Sequence, residues 1–566
     1  MKRQSAKFQS ILTLTLLLVA LVLLNVVSYH FYERVDLTKE KRYTLSNATK
    51  ELLKNLNDDI FIKVYLEGEF PAGFKRLRNS TQDMLAEFRA ASKGRIHFIF
   101  EDPLADKNEK EKQEIYNQLL EKGLQPTNLR VNTEDQYSSK VIFPGALLRY
   151  RDREMPLQLL ENQIGLGPQE VLNNSIELLE YKIANKIKKI TQRISPTIAF
   201  TEGHGELTDE YLNDIKTTLD ELHYDVVRIN PKTISHIPNR YKLLVIAKPT
   251  EAFREQEKFK IDQFVMNGGS VLWLIDAVDV EMDSLRGKEF YFANKRELNL
   301  DDQLFRYGAR LNPYLVQDLQ CNKIPLVVGM IGDRPQTELF PWFYFPLLMG
   351  NNNHAIVKNL DAIQTQYVGT VDTIKTPNVN KTFLLTTSQY SKALMAPVRV
   401  HFSMLKEQPD PTTFNKKNVP VSVLLEGQFS SVFKNRIAPE TMQMMDSLKI
   451  QFKESSAFSK MIIVADGDII KNEISPRGGV LPLGFYSFTN QTFANKDFIL
   501  NCVEYLADDT QLIETRNKEI RLRLLDRQKI QQEKLFWQLL NMLVPFASVV
   551  IFGIVYNFIR RRKYAA

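Results

Sequence analysis

Cysteine is nearly absent from this chain: Cys321 and Cys502 are the only two in 566 residues. They form no CxxC pair and no set with zinc-ligand spacing, which excludes a dithiol redox site and a cysteine-held zinc. A disulfide between them would require an oxidising compartment. The default for Cys502 is a packed core thiol, because Phe498, Cys502 and Leu506 recur on one apolar helix face. Also missing are a GxSxG nucleophile elbow, an HExxH zinc helix and a GxxxxGK(S/T) phosphate loop, so no metal and no cofactor is expected. Charge of one sign is not in large excess: 74 Lys and Arg stand against 67 Asp and Glu, net +7. No long basic run is interleaved with aromatics, so nucleic acid is not an expected partner. Glycine and proline are absent from residue 485 to residue 544, which leaves that stretch free to form long helix.

What is present starts with bulk. At 44% hydrophobic and 25% charged residues the chain is globular, and its length implies two to four domains. Residues 8–32 contain no Lys, Arg, Asp or Glu; as a helix they would reach about 37 Å, enough for a hydrocarbon core of about 30 Å. This apolar core is too long for a cleaved signal peptide and lacks a small-residue cut site, so an uncleaved anchor is expected. A second uncharged stretch, residues 535–559, is followed at once by Arg560, Arg561, Arg562 and Lys563. Two crossings place both termini on one side. The basic cluster assigns that side to the cytoplasm, leaving the roughly 500 residues between the spans in the periplasm.

Between the spans, hydrophobic periodicity gives a β-α-β-α-β-β-α order: strands at 59–66 and 95–100, helices at 74–91 and 109–122, a hairpin at 141–150 and 154–160, and one long helix at 169–192. That order matches a thioredoxin-like layout without redox cysteines. From Ser195-Pro196 onward, short apolar strands at 197–201, 224–229, 241–247 and 270–276 alternate with helices at 208–222 and 256–266. Such alternation predicts a parallel sheet covered on both faces. Strands are also expected at 381–389, 419–425 and 461–465, with a helix at 493–506. Residues 513–534, rich in helix formers of both charges, read as a stalk helix entering the second span. The expected division is an anchor 1–34, an α/β domain 35–193, a second α/β domain 194–508 with a β-rich insertion, a stalk 509–534, a span 535–559 and a tail 560–566.

Several of these segments carry a family resemblance. Glu33-Arg-Val-Asp-Leu-Thr-Lys-Glu-Lys-Arg-Tyr-Thr-Leu-Ser46 after an anchor resembles the opening signature of the GldG-type, gliding-motility-associated ABC-transporter auxiliary (substrate-binding-like) proteins. Thr201-Glu-Gly-His-Gly-Glu206 resembles that family's first-strand loop. Leu512-Ile-Glu-Thr-Arg516, Lys534-x2-Trp537-Gln538-x2-Asn541-x3-Pro545 and Arg560-Arg-Arg resemble its closing segment. The resemblance implies an ABC permease subunit as partner and, through it, a cytoplasmic ATPase subunit that binds the ATP. It also implies a link to gliding motility and the secretion that supports it, and a middle domain similar to the class I glutamine-amidotransferase (flavodoxin-like) fold.

An amidotransferase-like scaffold raises the question of chemistry. The reaction needs a nucleophilic Cys on a tight strand–helix turn with a His base beside it, and neither Cys321 nor Cys502 has such an elbow. Glu202, His204 and Glu206 follow a buried strand, at the sheet edge where open α/β folds bind ligands. They read as a structural loop, a contact for a ligand or partner, or an acid–base or metal set. The aromatic run Phe340–Phe345 reads as a buried loop plug or as a contact surface for glycan or protein. Asp466-Gly467-Asp468 reads as a turn, since a calcium loop would need further oxygen ligands at set spacing. Gln538, Asn541 and Pro545, three and four apart, share one face of the second span and mark it as the candidate permease contact. The favoured reading is a non-catalytic interaction subunit. The alternative is a periplasmic hydrolase or amidotransferase relative acting on a small molecule or glycan.

Overall fold

The structure, a computed structural model, describes residues 2–30, 44–105, 107–133, 136–160, 167–192, 195–331, 334–351, 354–406, 409–437, 452–476, 478–508, 512–517 and 527–564. It divides into two units, Met1–Glu519 and Ile520–Ala566.

In the first unit α1 (Lys2–His30) is a single 29-residue helix. The short α2 (Asn47–Lys54) is started by Ser46, whose hydroxyl accepts the Thr49 N–H. Then come β1 (Ile60–Val64), α3 (Ala72–Ala91), β2 (Ile96–Phe100) and α4 (Glu109–Glu121). Helix α4 opens on a capping box between Asn108 and Glu111. The hairpins β3 (Thr127–Thr133)/β4 (Gln136–Ile142) and β5 (Gly145–Tyr150)/β6 (Arg153–Gln158) follow, then α5 (Pro168–Glu177) and α6 (Leu179–Thr191). The sheet order is β2-β1-β5-β6; β1 and β2 are parallel and the other pairs antiparallel. Strand β1 alternates as IFIKV demands: Ile60, Ile62 and Val64 enter a core with Phe88 of α3 and Ile183 and Ile187 of α6.

The larger sheet has ten strands. Its parallel half runs β8 (Asp225–Ile229), β7 (Thr197–Thr201), β9 (Tyr241–Ala247), β10 (Ser270–Leu274) and Ser455–Val464. Its antiparallel half continues through Pro420–Ser430, Val379–Thr386, Arg334–Gly350 and Cys321–Ile331, and the tenth strand, Ile363–Gln364, pairs with Arg334–Gly350 off this path. Strand β9 shows why both faces are covered. Leu243 and Val245 enter one core with Phe498 and Cys502 of the helix Asn495–Ala507. Leu244 and Ile246 enter the other with Phe264 of α8 (Glu255–Met266), the helix that follows α7 (Asn213–Glu221) in the chain.

The two sheets are tied together by buried charge. The Glu504 carboxylate lies 2.6 Å from Lys189 Nζ, accepts the Asn185 amide at 2.9 Å and bonds the Tyr181 hydroxyl. Burial works to raise this carboxyl, but Lys189, Tyr181 and Asn185 outweigh it and hold Glu504 at about 2.

Four expectations change. The polar hairpin β3/β4 was not foreseen, and it takes Val141 and Ile142 out of the strand expected at 141–150. The single helix expected at 169–192 is interrupted at Leu178, without a Pro or Gly to mark the break. The aromatic run is not a loop: it lies within the 17-residue strand Arg334–Gly350. Trp342, Tyr344 and Phe345 pack there in a core with Leu315 and Val400, which removes the contact-surface reading. Pro335 and Pro341 are tolerated in that strand's outer part, where it forms a ribbon paired with Cys321–Ile331. Finally, Leu512–Asn517 is not the beginning of a stalk but a 3-10 turn packed into the body, with Leu512, Ile513 and Arg516 buried. Residues 518–526 of the expected stalk lie outside the described residues. Cys321 and Cys502 are free thiols.

In the second unit Arg527–Tyr564 is one helix of 38 residues. Within it Glu533–Arg562, 30 residues, is long and apolar enough to cross a membrane, and it is the one such helix among the described residues. In α1 the apolar segment meeting the same composition test is shorter, Leu12–Asn25.

Candidate functional site: the carboxyl edge of the parallel sheet

Four neighbouring parallel strands end in charged or polar residues on one edge. After β7 come Glu202, His204 and Glu206; after β9, Lys248; after β10, Asp276; after Ser455–Val464, Asp466 and Asp468. This is the edge at which open α/β sheets hold ligands.

The structure separates the three residues after β7. Glu202 faces outward, 47% exposed, with its carboxylate 3.2 Å from Arg228 Nε. His204 and Glu206 face inward, and neither side chain is exposed. The His204 ring stacks on Phe253 with centroids 3.8 Å apart. Its Nδ1 lies 3.5 Å from Glu206 Oε1 and its Nε2 lies 3.4 Å from Glu257 Oε2. Glu257 also accepts the Arg254 N–H at 2.5 Å and so caps α8. Burial works to raise the Glu206 carboxyl, but hydrogen bonds from the His204 ring and backbone N–H outweigh it and leave it low.

The two glycines of Glu-Gly-His-Gly-Glu explain the loop. Gly205 has φ +73°, and a Cβ there would meet Thr250 Oγ1 at 1.9 Å. Gly203 has φ +105°, and a Cβ would meet Asn230 Oδ1 at 2.6 Å. The His204 carbonyl accepts the Thr250 and Glu251 N–H groups, each at 2.8 Å. The motif thus locks the end of β7 to the segment leading from β9 to α8.

Beside it is a second buried cluster, which the sequence left as a simple turn. Lys248 Nζ lies 2.7 Å from Asp468 Oδ2, 3.0 Å from Glu281 Oε1 and 3.6 Å from Asp276 Oδ2. Backbone amides serve Asp276 and Asp466, but Asp276 Oδ2 has no hydrogen-bond partner among the described residues. Gly467 N–H donates to Asp276 Oδ1 at 2.6 Å and Asp468 N–H to Asp466 Oδ1 at 2.7 Å. Gly467 is required for space, since a Cβ would stand 2.6 Å from Lys248 Cγ. Burial opposes the charge on Lys248, but Asp468, Asp276 and Glu281 outweigh it and raise its pKa. Burial lifts Asp276 to about 6, with Lys248 opposing and Asp468 adding to the rise; burial also lifts Asp466, with Asp468 and Asp276 adding to it. Asp276, Asp466 and Asp468 each bring an oxygen within 4.8 Å of the others, a spacing that fits cation ligands. Here the Lys248 ammonium supplies the positive charge. The only sequence signal for this cluster was a polar residue at each strand end. The pairing depends on strand order.

The chemistry available at this edge is limited. The cavity beside Asp276 has about 20 Å³, room for one water. Cys321 lies elsewhere, at the start of its strand, and burial followed by the nearby Asp318 pushes its thiol up to about 12. Burial also raises the Cys502 thiol well above its ordinary value. Both thiols are neutral and so poor nucleophiles. The edge is built as an ionic and hydrogen-bonded lock rather than an open reaction cleft.

Residues 195–502, more than half the chain, match the family model described as an ABC-type uncharacterized transport system. Residues 39–149 match a domain of unknown function, DUF7088. An uncharacterized protein of Borreliella burgdorferi is 22% identical, covering 98% of each chain. Among solved structures, the mmIFT52 N-terminal domain overlays 55% of this chain and 96% of its own at 13% identity, TM-score 0.29. An exo-beta-1,4-mannosidase from an Opitutaceae bacterium overlays 75% of this chain and 51% of its own at 8% identity, TM-score 0.18. Neither overlay is close enough to carry a fold assignment. The family match spans the parallel sheet, its carboxyl edge and the antiparallel half together, and on that ground the chain belongs to the ABC-type transport-system auxiliary family.

Proposed function

We propose that this chain is a non-catalytic, membrane-anchored auxiliary subunit of an ABC transporter, docked on the permease subunit through the helix Arg527–Tyr564 and, through the permease, coupled to a cytoplasmic ATPase subunit. The observation that carries this reading is the family match over residues 195–502 in a chain that also holds a membrane-length apolar helix. Within that helix Gln538, Asn541 and Pro545 fall within about 60° of its circumference at about 100° per residue. Pro545 supplies no N–H to the turn before it. In lipid such groups are costly unless a neighbouring helix faces them.

The finer readings follow from the same proposal. Residues 8–32 are the second membrane anchor, both termini are cytoplasmic, and the body between is periplasmic. Residues 35–193 form a thioredoxin-like domain, supported by the β2-β1-β5-β6 order with one parallel pair. Residues 194–508 form an amidotransferase-like domain, supported by the five-stranded parallel half-sheet. The role in gliding motility and associated secretion rests on the GldG-type segments around residues 33–46 and 201–206. At the β7 loop, Glu202 is the outward partner contact, and His204 and Glu206 position it from inside. The hydrolase alternative is disfavoured by two thiols whose pKa is raised, Cys502 buried and Cys321 half-buried.

Affinity purification of the full-length protein from solubilised membranes, followed by mass spectrometry, tests the proposal. Recovery of a permease and its ATPase is expected. Recovery of neither, together with hydrolytic turnover by the purified chain, would reverse it.

A further inference from the structure

An open groove of about 530 Å³ lies on the antiparallel side of the large sheet, far in sequence from the lock at the carboxyl edge. It is lined by three turns, at Gln320, at Ser388–Gln389–Tyr390 and at Asn418, and by the paired strand residues Met349 and Thr386. No residue lining it is Asp, Glu, Lys, Arg or His. That composition offers nothing to pair with a phosphate, a nucleotide or an acidic peptide.

The turns are held from beneath. Asp318 is fully buried and its carboxylate serves two walls at once. It accepts the Gln320 N–H at 2.8 Å, the Ser388 N–H at 2.8 Å and the Ser388 hydroxyl at 2.6 Å. The third wall is fastened to the second: Asn418 N–H donates to the Ser388 carbonyl at 2.9 Å, and Val419 N–H to Thr387 Oγ1 at 2.9 Å. The side chains these turns present stay uncommitted. Among the described residues, the Gln320, Gln389 and Asn418 amides and the Tyr390 hydroxyl make no hydrogen bond within the chain, and Tyr390 is 58% exposed. A buried carboxylate is a costly device for fixing surface turns, and here its effect is to preorganise a set of free amides around an aromatic ring.

We propose that this groove binds a neutral oligosaccharide. Each carboxamide offers a donor and an acceptor side by side, which suits vicinal hydroxyls that both donate and accept. The Tyr390 ring offers an apolar face for the C–H face of a sugar. The absence of charge selects against anionic ligands. The same chemistry fits a free saccharide and a glycan strand of the cell wall.

The test uses the full-length protein in detergent. One arm titrates it calorimetrically with maltotriose, cellotriose and tri-N-acetylchitotriose; the other measures co-sedimentation with purified cell-wall glycan. Binding is expected in at least one arm, and which arm responds tells a free saccharide from the wall strand. Tyr390→Ala and Gln389→Ala should each weaken that binding about tenfold, whereas Tyr390→Phe should retain it. Thermal melting confirms that the variants fold, and Gln389→Ala alone decides the matter if Tyr390→Ala does not. No binding in either arm, or binding undiminished in both alanine variants, overturns the proposal.

Discussion

Lys248 Nζ lies 2.7 Å from each carboxylate oxygen of Asp468, so one ammonium joins the end of β9 to the turn that follows the Ser455–Val464 strand. Both side chains are almost wholly withdrawn from water. The pair therefore stands or falls as a unit, and with it the edge of the sheet.

Lys248→Met should destabilise the body by about 3–5 kcal/mol, because Asp468 and Asp276 would be left buried without their cation. Adding Asp468→Leu should recover a large part of that loss. Urea unfolding of the two variants beside the parent checks it. A single-variant loss below about 1 kcal/mol would show that water or a neighbouring group compensates.

The same cluster makes stability depend on pH. Burial lifts Asp276 from 3.8 to about 6 despite Lys248, with Asp468 adding to the rise and Arg296 opposing it. A carboxyl raised on folding binds its proton more tightly in the native state. Its contribution is full below about pH 4 and is lost as pH rises through about 6. The size is on the order of 3 kcal/mol, two units at about 1.4 kcal/mol each. Asp276→Asn should remove this slope, so the stability difference between variant and parent should change between pH 4 and 7. Glu504, held at about 2, carries the opposite slope at lower pH and cancels in that difference. A difference that stays flat across the window contradicts the assignment.

Gly205→Ala should cost roughly 1–3 kcal/mol, since φ is +73° and the new Cβ would meet Thr250 Oγ1 at 1.9 Å. Thr250→Ala removes the clash but not the backbone strain, so the double variant should recover only part of the loss. A double-mutant cycle of melting curves measures the coupling.

Much of the fold could be read in the sequence wherever burial is two-sided. The strands Thr197–Thr201 and Tyr241–Ala247 stand at the expected residues, because apolar runs of that length between turn signals admit little else. The β3/β4 hairpin was missed because Thr-Asn-Leu-Arg-Val-Asn-Thr carries no apolar alternation. The aromatic run Phe340–Phe345 is largely buried, as one of its two readings has it, but it is strand and not loop: Pro341 and Pro346 signal a loop, and only pairing in space shows that this part of the strand tolerates them. The place of Glu202, His204 and Glu206 after β7 is legible in the sequence, but their division into one outward and two inward side chains depends on Phe253 and Glu257, some 50 residues away. Lys248 was not found at all, since nothing local distinguishes it from a surface lysine.

The thiols should be inert in the folded protein. Burial raises both thiols, and with Cys321 pushed up to about 12 its thiolate fraction at pH 8 is on the order of 10⁻⁴. Iodoacetamide labelling followed by mass spectrometry should show neither modified under native conditions and both modified in denaturant. A Cys321→Ser/Cys502→Ser variant should assemble with its partners as the parent does. Fast native labelling of Cys321 would revive the nucleophile reading.

The central claim, that the helix Arg527–Tyr564 docks an ABC permease, is tested most directly by replacing residues 535–559 with a generic Leu/Ala helix and purifying the full-length protein with its membrane partners. The variant should insert and fold but release the permease, and Gln538→Leu with Asn541→Leu should weaken retention in the same direction. The same replacement of residues 8–32 should be milder. Full retention of the permease after the 535–559 replacement, with loss on replacing 8–32, would contradict the claim and move the contact to the first helix.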